Sequence, residues 1–313
     1  MKVNELTKSS TSVEVNKDVL FSLLFGGIAG CVAKTVIAPL DRAKINFQTT
    51  DQKFSFRAMI EFLLNTYKTN GFHYLWRGNT ATMSRVFPYA GIQYTSHAFY
   101  KRLLKVDSII LKKEERQLMI NKKIAFNFIC GSLAGMTSVL CTYPLDLARA
   151  RMAVTSIKKY GNLLDVLRIM RKEEGLLAFY RGINPTIIGI IPYAGVGFLV
   201  FESIKDIVTT HNNRKMTTTE TFLSGGIAGL MGQFCCYPLD IIRRRMQTGP
   251  VTGHPEYSQN MWRTFRIICS EGLIHGLYKG FSMNLIKTPT ASAVSFTVYH
   301  SLCDYMGLRV YKK

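Results

Sequence analysis

The stretch PLDRAKINFQ (39–48) returns as PLDLARARMA (144–153) and as PLDIIRRRMQ (238–247). Each copy sets an acid two residues after its proline and a base five residues after it. The acids are Asp41, Asp146 and Asp240; the bases are Lys44, Arg149 and Arg243. Each copy closes an apolar run and is followed by glycine–aromatic punctuation, LWRGN (75–79), FYRGI (179–183) and LYKGF (277–281). Such self-similarity, repeating at a spacing of about a hundred residues, marks homologous units. They run over 19–113, 121–213 and 219–311, after a polar segment 1–18 that reads as a disordered tail.

Outward from the prolines, each unit begins with an apolar helix containing small-xxx-small spacing: Gly26/Gly30, Gly131/Gly135 and Gly225/Gly229. A soluble helix loses about 1 kcal/mol per interior glycine relative to alanine. In lipid the same residues let helix backbones approach. Amphipathic segments follow near 56–70, 162–174 and 258–271, too polar to span and suited to a membrane interface. A second apolar helix closes each unit, at about 80–104, 183–208 and 281–303. The expected fold is an all-α membrane protein of six spans in three pseudo-threefold repeats, each with a short surface helix. Loops are basic on both faces, so charge bias does not orient the chain.

Composition narrows the function. Lys and Arg outnumber Asp and Glu by 40 to 20, yet 47% of residues are hydrophobic and only 19% charged. A nucleic-acid binder gathers its bases on one face or arm, and this chain does neither. The surplus suits anionic lipid or an anionic small molecule. The seven cysteines are scattered without a C-x-x-C pair and read as reduced packing thiols. The six histidines show no ligand spacing, so no metal site is expected. No G-x-x-x-x-G-K-[ST] loop occurs, and Gly195-Val-Gly197 lacks the third glycine of a dinucleotide fingerprint. An enzyme is therefore not expected.

Charges inside a membrane bundle are costly and functional by default, and threefold repetition sorts them. Those present in every unit can pair around a ring. Those present in one or two units break the symmetry as a ligand does. Seven residues past Gly78, Gly182 and Gly280 stand Arg85, Gly189 and Lys287. Two helical turns carry all three about 10.5 Å along their helices, to one level. Two cations without counter-charges, beside a position with no side chain, describe a site for an anion bearing a flat group. Tyr193 lies one turn beyond Gly189 on the same face. Lys34 adds a third cation, its equivalents Val139 and Gln233 being neutral.

The pattern P-x-[DE]-x-x-[KR]-x-[KR], met three times in register, resembles the mitochondrial carrier family over nearly the whole chain. The resemblance implies a monomeric antiporter of the mitochondrial inner membrane, working by alternating access with its termini toward the cytosol. It pairs Asp41 with Arg149, Asp146 with Arg243 and Asp240 with Lys44 as a matrix gate, braced by Gln48 and Gln247. Unit two has Ala153 at the brace, and Asn46 replaces the second base of unit one. A thinner cytosolic gate would join Glu202 to Lys101, with Lys205 alongside, and the resting state would face the cytosol. Arg77-Gly78, Arg181-Gly182 and Lys279-Gly280 match the family's cardiolipin motifs; no other cofactor is implied. Lys34, Arg85, Gly189, Ile190 and Lys287 fall on its substrate contact points, and Gly189-Ile190 has the form found in its carriers of adenine compounds. The implied exchange is coenzyme A or dephospho-coenzyme A against ADP or ATP. An adenine-nucleotide carrier of another type, or a leak or scaffold protein, stays open at this stage.

Overall fold

The computed structural model describes residues 2–104, 116–270, 272 and 276–306, positions 51, 53, 157, 158, 213 and 215 aside; for 2–20, 22, 23, 116–125, 212 and 218 it describes the backbone alone. Among the described residues there is no strand. Six long helices are α1 (Lys2–Thr49), α3 (Asn79–Leu103), α4 (Arg116–Val154), α6 (Ile183–Asn212), α7 (Thr218–Thr252) and α9 (Ser282–Tyr305). Three short ones are α2 (Phe56–Asn70), α5 (Leu163–Glu173) and α8 (Met261–Ser270).

Each unit thus runs long helix, short helix, long helix. The 3-10 turns Phe72–Trp76 and Leu176–Tyr180 follow α2 and α5, and Pro255–Ser258 precedes α8. Local chemistry sets the joints. Ser55 caps α2 through the Ala58 N–H at 3.0 Å. Asp165 closes a capping box on α5 by accepting the Asn162 N–H at 3.0 Å. Thr217 and Glu220 form another on α7. Between units, α3 packs along α4, α6 along α7 and α9 back along α1, which closes the ring of helices.

α1 begins at Lys2, so residues 2–18 continue the helix instead of forming the expected tail. The reason is local: no glycine or proline interrupts 2–25. The prolines at 39, 144 and 238 lie inside α1, α4 and α7, which run on past them. Proline removes one N–H bond and crowds the preceding turn, so these are points of weakness within continuous helices.

The buried core gathers at the proline end. Tyr143, Leu147, Val166 and Met170 pack together in unit two, Tyr237, Ile241 and Ile268 in unit three, and Phe47, Met59 and Met283 in a third cluster. Elsewhere large apolar side chains face outward. On α1, Leu24, Ile28, Val32 and Val36 form an exposed stripe while Phe25, Ala29, Ala33 and Ile37 are buried. A contiguous apolar surface of this kind is a membrane face. Three stretches, Leu24–Thr49, Phe126–Val154 and Leu176–His211, are long and apolar enough to cross a membrane by composition alone. α3, α7 and α9 fall short of that measure. Arg85, Lys101 and Arg102 weigh on α3, and the Arg243–Arg245 run weighs on α7.

The small-xxx-small glycines do not act as expected. A Cβ at Gly26, Gly131, Gly135, Gly225 or Gly229 would meet nothing within 4 Å, and at Gly30 only Val86 at 3.8 Å. Close approach happens at Gly232 instead, where a Cβ would sit 2.7 Å from the Tyr193 carbonyl oxygen of α6. Gly131 and Gly135 line a cavity.

Candidate functional site

Two of the three expected ring pairs are formed. Arg149 donates to Asp41 at 2.5 Å and Arg243 to Asp146 at 2.7 Å, both linking one unit to the next. The acids are buried, Asp146 to 2% exposure. The third pair is not made. Lys44 donates to the Asn284 side-chain oxygen at 2.8 Å and lies 5.0 Å from the centre of the Tyr237 ring. Asp240 is only half-buried and borders the cavity.

Arg85 and Lys287 add to the two pairs that form. Both were expected to lack counter-charges; each instead holds a ring acid. Arg85 donates to Asp146 at 2.8 Å and Lys287 to Asp41 at 2.8 Å. In both cases the base at this level belongs to one unit and the acid to the next. Continuing the rotation, unit two should present a base to Asp240, and the residue there is Gly189. The threefold break seen in the sequence is therefore a missing partner for one acid. A Cβ at Gly189 would make ordinary contact with Leu239 at 3.7 Å, so the space is open rather than filled.

Arg244 belongs to the cluster although its pattern did not mark it. It donates to Asp146 at 3.2 Å and to Gln247 Oε1 at 2.8 Å. The signal was present as the middle arginine of the run Arg243–Arg245 in unit three. Gln247 braces the ring as expected, donating to Asp146 and to the Tyr143 hydroxyl, both at 3.1 Å. Gln48 donates to the Tyr237 hydroxyl at 3.0 Å and touches no ring charge, since its own pair is the open one.

Above the ring lies a cavity of about 560 Å³. Arg85, Gly189, Ile190, Tyr193, Asp240 and Arg243 line it, with the uncharged Gln93, Ser132 and Gln233 farther along. Lys34 is exposed and makes no ion pair among the described residues; Asp41, Arg149, Lys287 and Arg85 are its charged surroundings. Four of the six expected substrate residues thus line one cavity wall, while Lys287 and Lys34 sit at its ring end.

At the opposite end the expected Glu202–Lys101 link is not made. Glu202 pairs with Lys205 of its own helix at 2.8 Å. Residues three apart on a helix are neighbours whatever the helices do, so the carboxylate takes the local base. The chain is closed at the proline end, with no inter-helix ion pair at the other among the described residues.

The glycine motifs have work within the fold. Gly78 and Gly182 have φ of 86° and 77°, a region only glycine enters freely. A Cβ there would press on the carbonyl oxygens of Arg149 at 3.2 Å and Arg243 at 3.1 Å. Arg77 donates to the Met152, Ser156 and Tyr160 carbonyls, and Lys279 to that of Thr50 at 2.6 Å. Arg181 pairs with Glu174, which also takes both terminal nitrogens of Arg151. Burial pushes the Glu174 carboxyl upward, but the Arg151 hydrogen bonds and the two guanidinium charges win and hold it below the usual range.

The family model described as "Mitochondrial carrier protein" matches residues 16–108, 121–212 and 214–309, most of the chain. The chain belongs to the mitochondrial carrier family. Among this carrier's relatives, the mitochondrial coenzyme A transporter SLC25A42 of Xenopus laevis is 47% identical over 285 residues, covering 91% of this chain and 85% of its own. That of Homo sapiens is 45% identical, with 94% and 90% covered. The human solute carrier family 25 member 16 is 37% identical, with 92% and 89% covered.

Proposed function

We propose that this carrier exchanges coenzyme A or dephospho-coenzyme A for adenine nucleotides such as ADP and ATP across the mitochondrial inner membrane. One observation carries the reading: at a single level the threefold pattern offers Arg85, Gly189 and Lys287, two bases and a recess. Their present partners are carboxylates, which a phosphate can replace, because both present anionic oxygens to the same donors. Lys34, unpaired at that level, is a third contact. Gly189 leaves an opening beside Ile190 and Tyr193 where a purine can lie flat. The uncharged cavity wall beyond leaves room for an arm without charge. The relatives named as coenzyme A transporters support the same class of substrate.

In this reading the closed proline end is the matrix gate, the termini face the intermembrane space, and the monomer alternates between two closures. Cardiolipin is the expected bound lipid, at the helix starts after Arg77-Gly78, Arg181-Gly182 and Lys279-Gly280, where free N–H groups favour phosphate. The deciding experiment uses purified protein in liposomes loaded with coenzyme A, dephospho-coenzyme A, adenosine 3′,5′-bisphosphate, ADP or ATP. Uptake of labelled coenzyme A that requires an internal adenine nucleotide is expected. Exchange of dicarboxylates in preference to all of these would overturn the proposal, and exchange confined to ADP and ATP would reassign it to a nucleotide carrier.

A further inference from the structure

Just past the ring, a second set of buried side chains crosses between units. Arg151 sends its Nε–H to the Gln247 carbonyl at 3.1 Å, and Arg245 sends its own to the Gln48 carbonyl at 3.3 Å. Both arginines stand seven residues after their proline, and both carbonyls nine residues after theirs. The third acceptor in this rotation is the carbonyl of Ala153, and the third donor should be residue 46, which is asparagine. The Ala153 carbonyl is nonetheless occupied: Arg42 donates to it through Nε at 3.2 Å. Position 42 lies four residues before 46, one turn away on the same helix face.

The rest of unit one changes to match. In unit two the arginine is held by Glu174, the residue before Gly175; the corresponding residue of unit three is Glu271, outside the described residues. In unit one the residue before Gly71 is Asn70. The base at 46 and the acid at 70 are thus both missing. Losing one member of a buried pair strands a charge, whereas losing both does not. Arg42 finds uncharged partners instead, donating to the Tyr74 carbonyl and lying 4.2 Å from the centre of the Tyr74 ring. It is 7% exposed, beside 0% for Arg151 and 1% for Arg245.

We propose that Arg42 is a positioning residue that replaces the base absent at position 46 and completes an arginine belt holding the proline end shut. Each belt bond joins two units, so the three helices cannot part without breaking it. The unit-one bond lacks the carboxylate that anchors the donor of unit two, and parting begins between α1 and α4.

The test relocates the guanidinium. Wild type, Arg42→Ala, Arg42→Ala/Asn46→Arg and Arg42→Ala/Asn46→Arg/Asn70→Glu are purified, melted in detergent, and reconstituted in vesicles loaded with ADP or with coenzyme A. Efflux without counter-substrate should rise about tenfold in Arg42→Ala, as loss of a hydrogen bond from a charged donor allows. The melting temperature should fall, and the triple variant should return both readings to near wild type. A wild-type efflux in Arg42→Ala would overturn the proposal, as would a lowered melting temperature without leak, or relocation that repairs neither reading. If Arg42→Ala does not fold, the triple variant decides: folding and tight vesicles support the belt, and failure to fold refutes it.

Discussion

Gly189 and Asp240 show how one absent side chain alters a ring built from three. Arg85 and Lys287 each neutralise an acid of the neighbouring unit, and Gly189 leaves Asp240 without such a base. Gly189→Lys should supply it. The backbone there has room for a Cβ, and the new ammonium would reach Asp240 as Lys287 reaches Asp41. Exchange should drop at least about tenfold while the melting temperature rises, because the half-buried Asp240 carboxylate, which lacks a base from its neighbouring unit, would gain a counter-charge. Unchanged transport in vesicles would refute this view of the recess. Arg85→Ala should abolish exchange yet fold, since Arg243, Arg244 and Gln247 still satisfy Asp146. A variant that exchanges at the wild-type rate would remove Arg85 from the site.

At the level of elements, the carboxylates couple helices unequally. Asp146 joins α4 to α3 through Arg85 and to α7 through Arg243 and Arg244. A charge swap of Asp146→Arg with Arg243→Asp should therefore restore little transport, because Arg85 and Arg244 would face a cation. A double-mutant cycle measures this coupling; full rescue would mean that Arg243 is the dominant partner. Glu174 ties the end of α5 to Arg151 in α4 and to Arg181 before α6. Its lowered pKa means that the folded chain gains stability above the ordinary glutamate value, and this gain is lost as pH falls through the lower folded-state value. Glu174→Gln should lower the melting temperature at pH 7, by removing about 3 kcal/mol or less of a largely buried pair. The deficit should shrink in acid. A deficit that does not change with pH would assign Glu174 a packing role instead.

For the molecule as a whole, the proline end is sealed by ring and belt, and the far end holds only the local Glu202–Lys205 pair between the gate residues expected there. A thiol label that cannot cross the membrane should reach Gln93→Cys, in a chain whose seven native cysteines are serine, from the side bearing the termini. Substrate should protect it. Gln93 lines the cavity and is exposed. Labelling from the opposite side alone, without substrate, would mean that the resting closure is reversed.

Much of this was legible from the repeat. Three copies of proline, acid and base determined the number of units, the alternation of long and short helices and the existence of a ring, because identical sequence in a threefold body must make equivalent contacts. The shared level of Arg85, Gly189 and Lys287 followed from helical rise alone. The sequence could not say that these bases are bound to the ring acids, since that depends on which unit's helix stands beside which. For the same reason the family resemblance paired Asp240 with Lys44, where tertiary packing instead put Asn284 against the ammonium. The sequence also marked glycine pairs for helix contact by their spacing, yet Gly232, outside the marked pairs, makes the approach. Arg42 is the clearest case. Sequence alignment of the units shows only a missing base at 46, because a pattern counts positions along the chain. The folded helix counts positions around its axis, where residue 42 and residue 46 look toward the same neighbour.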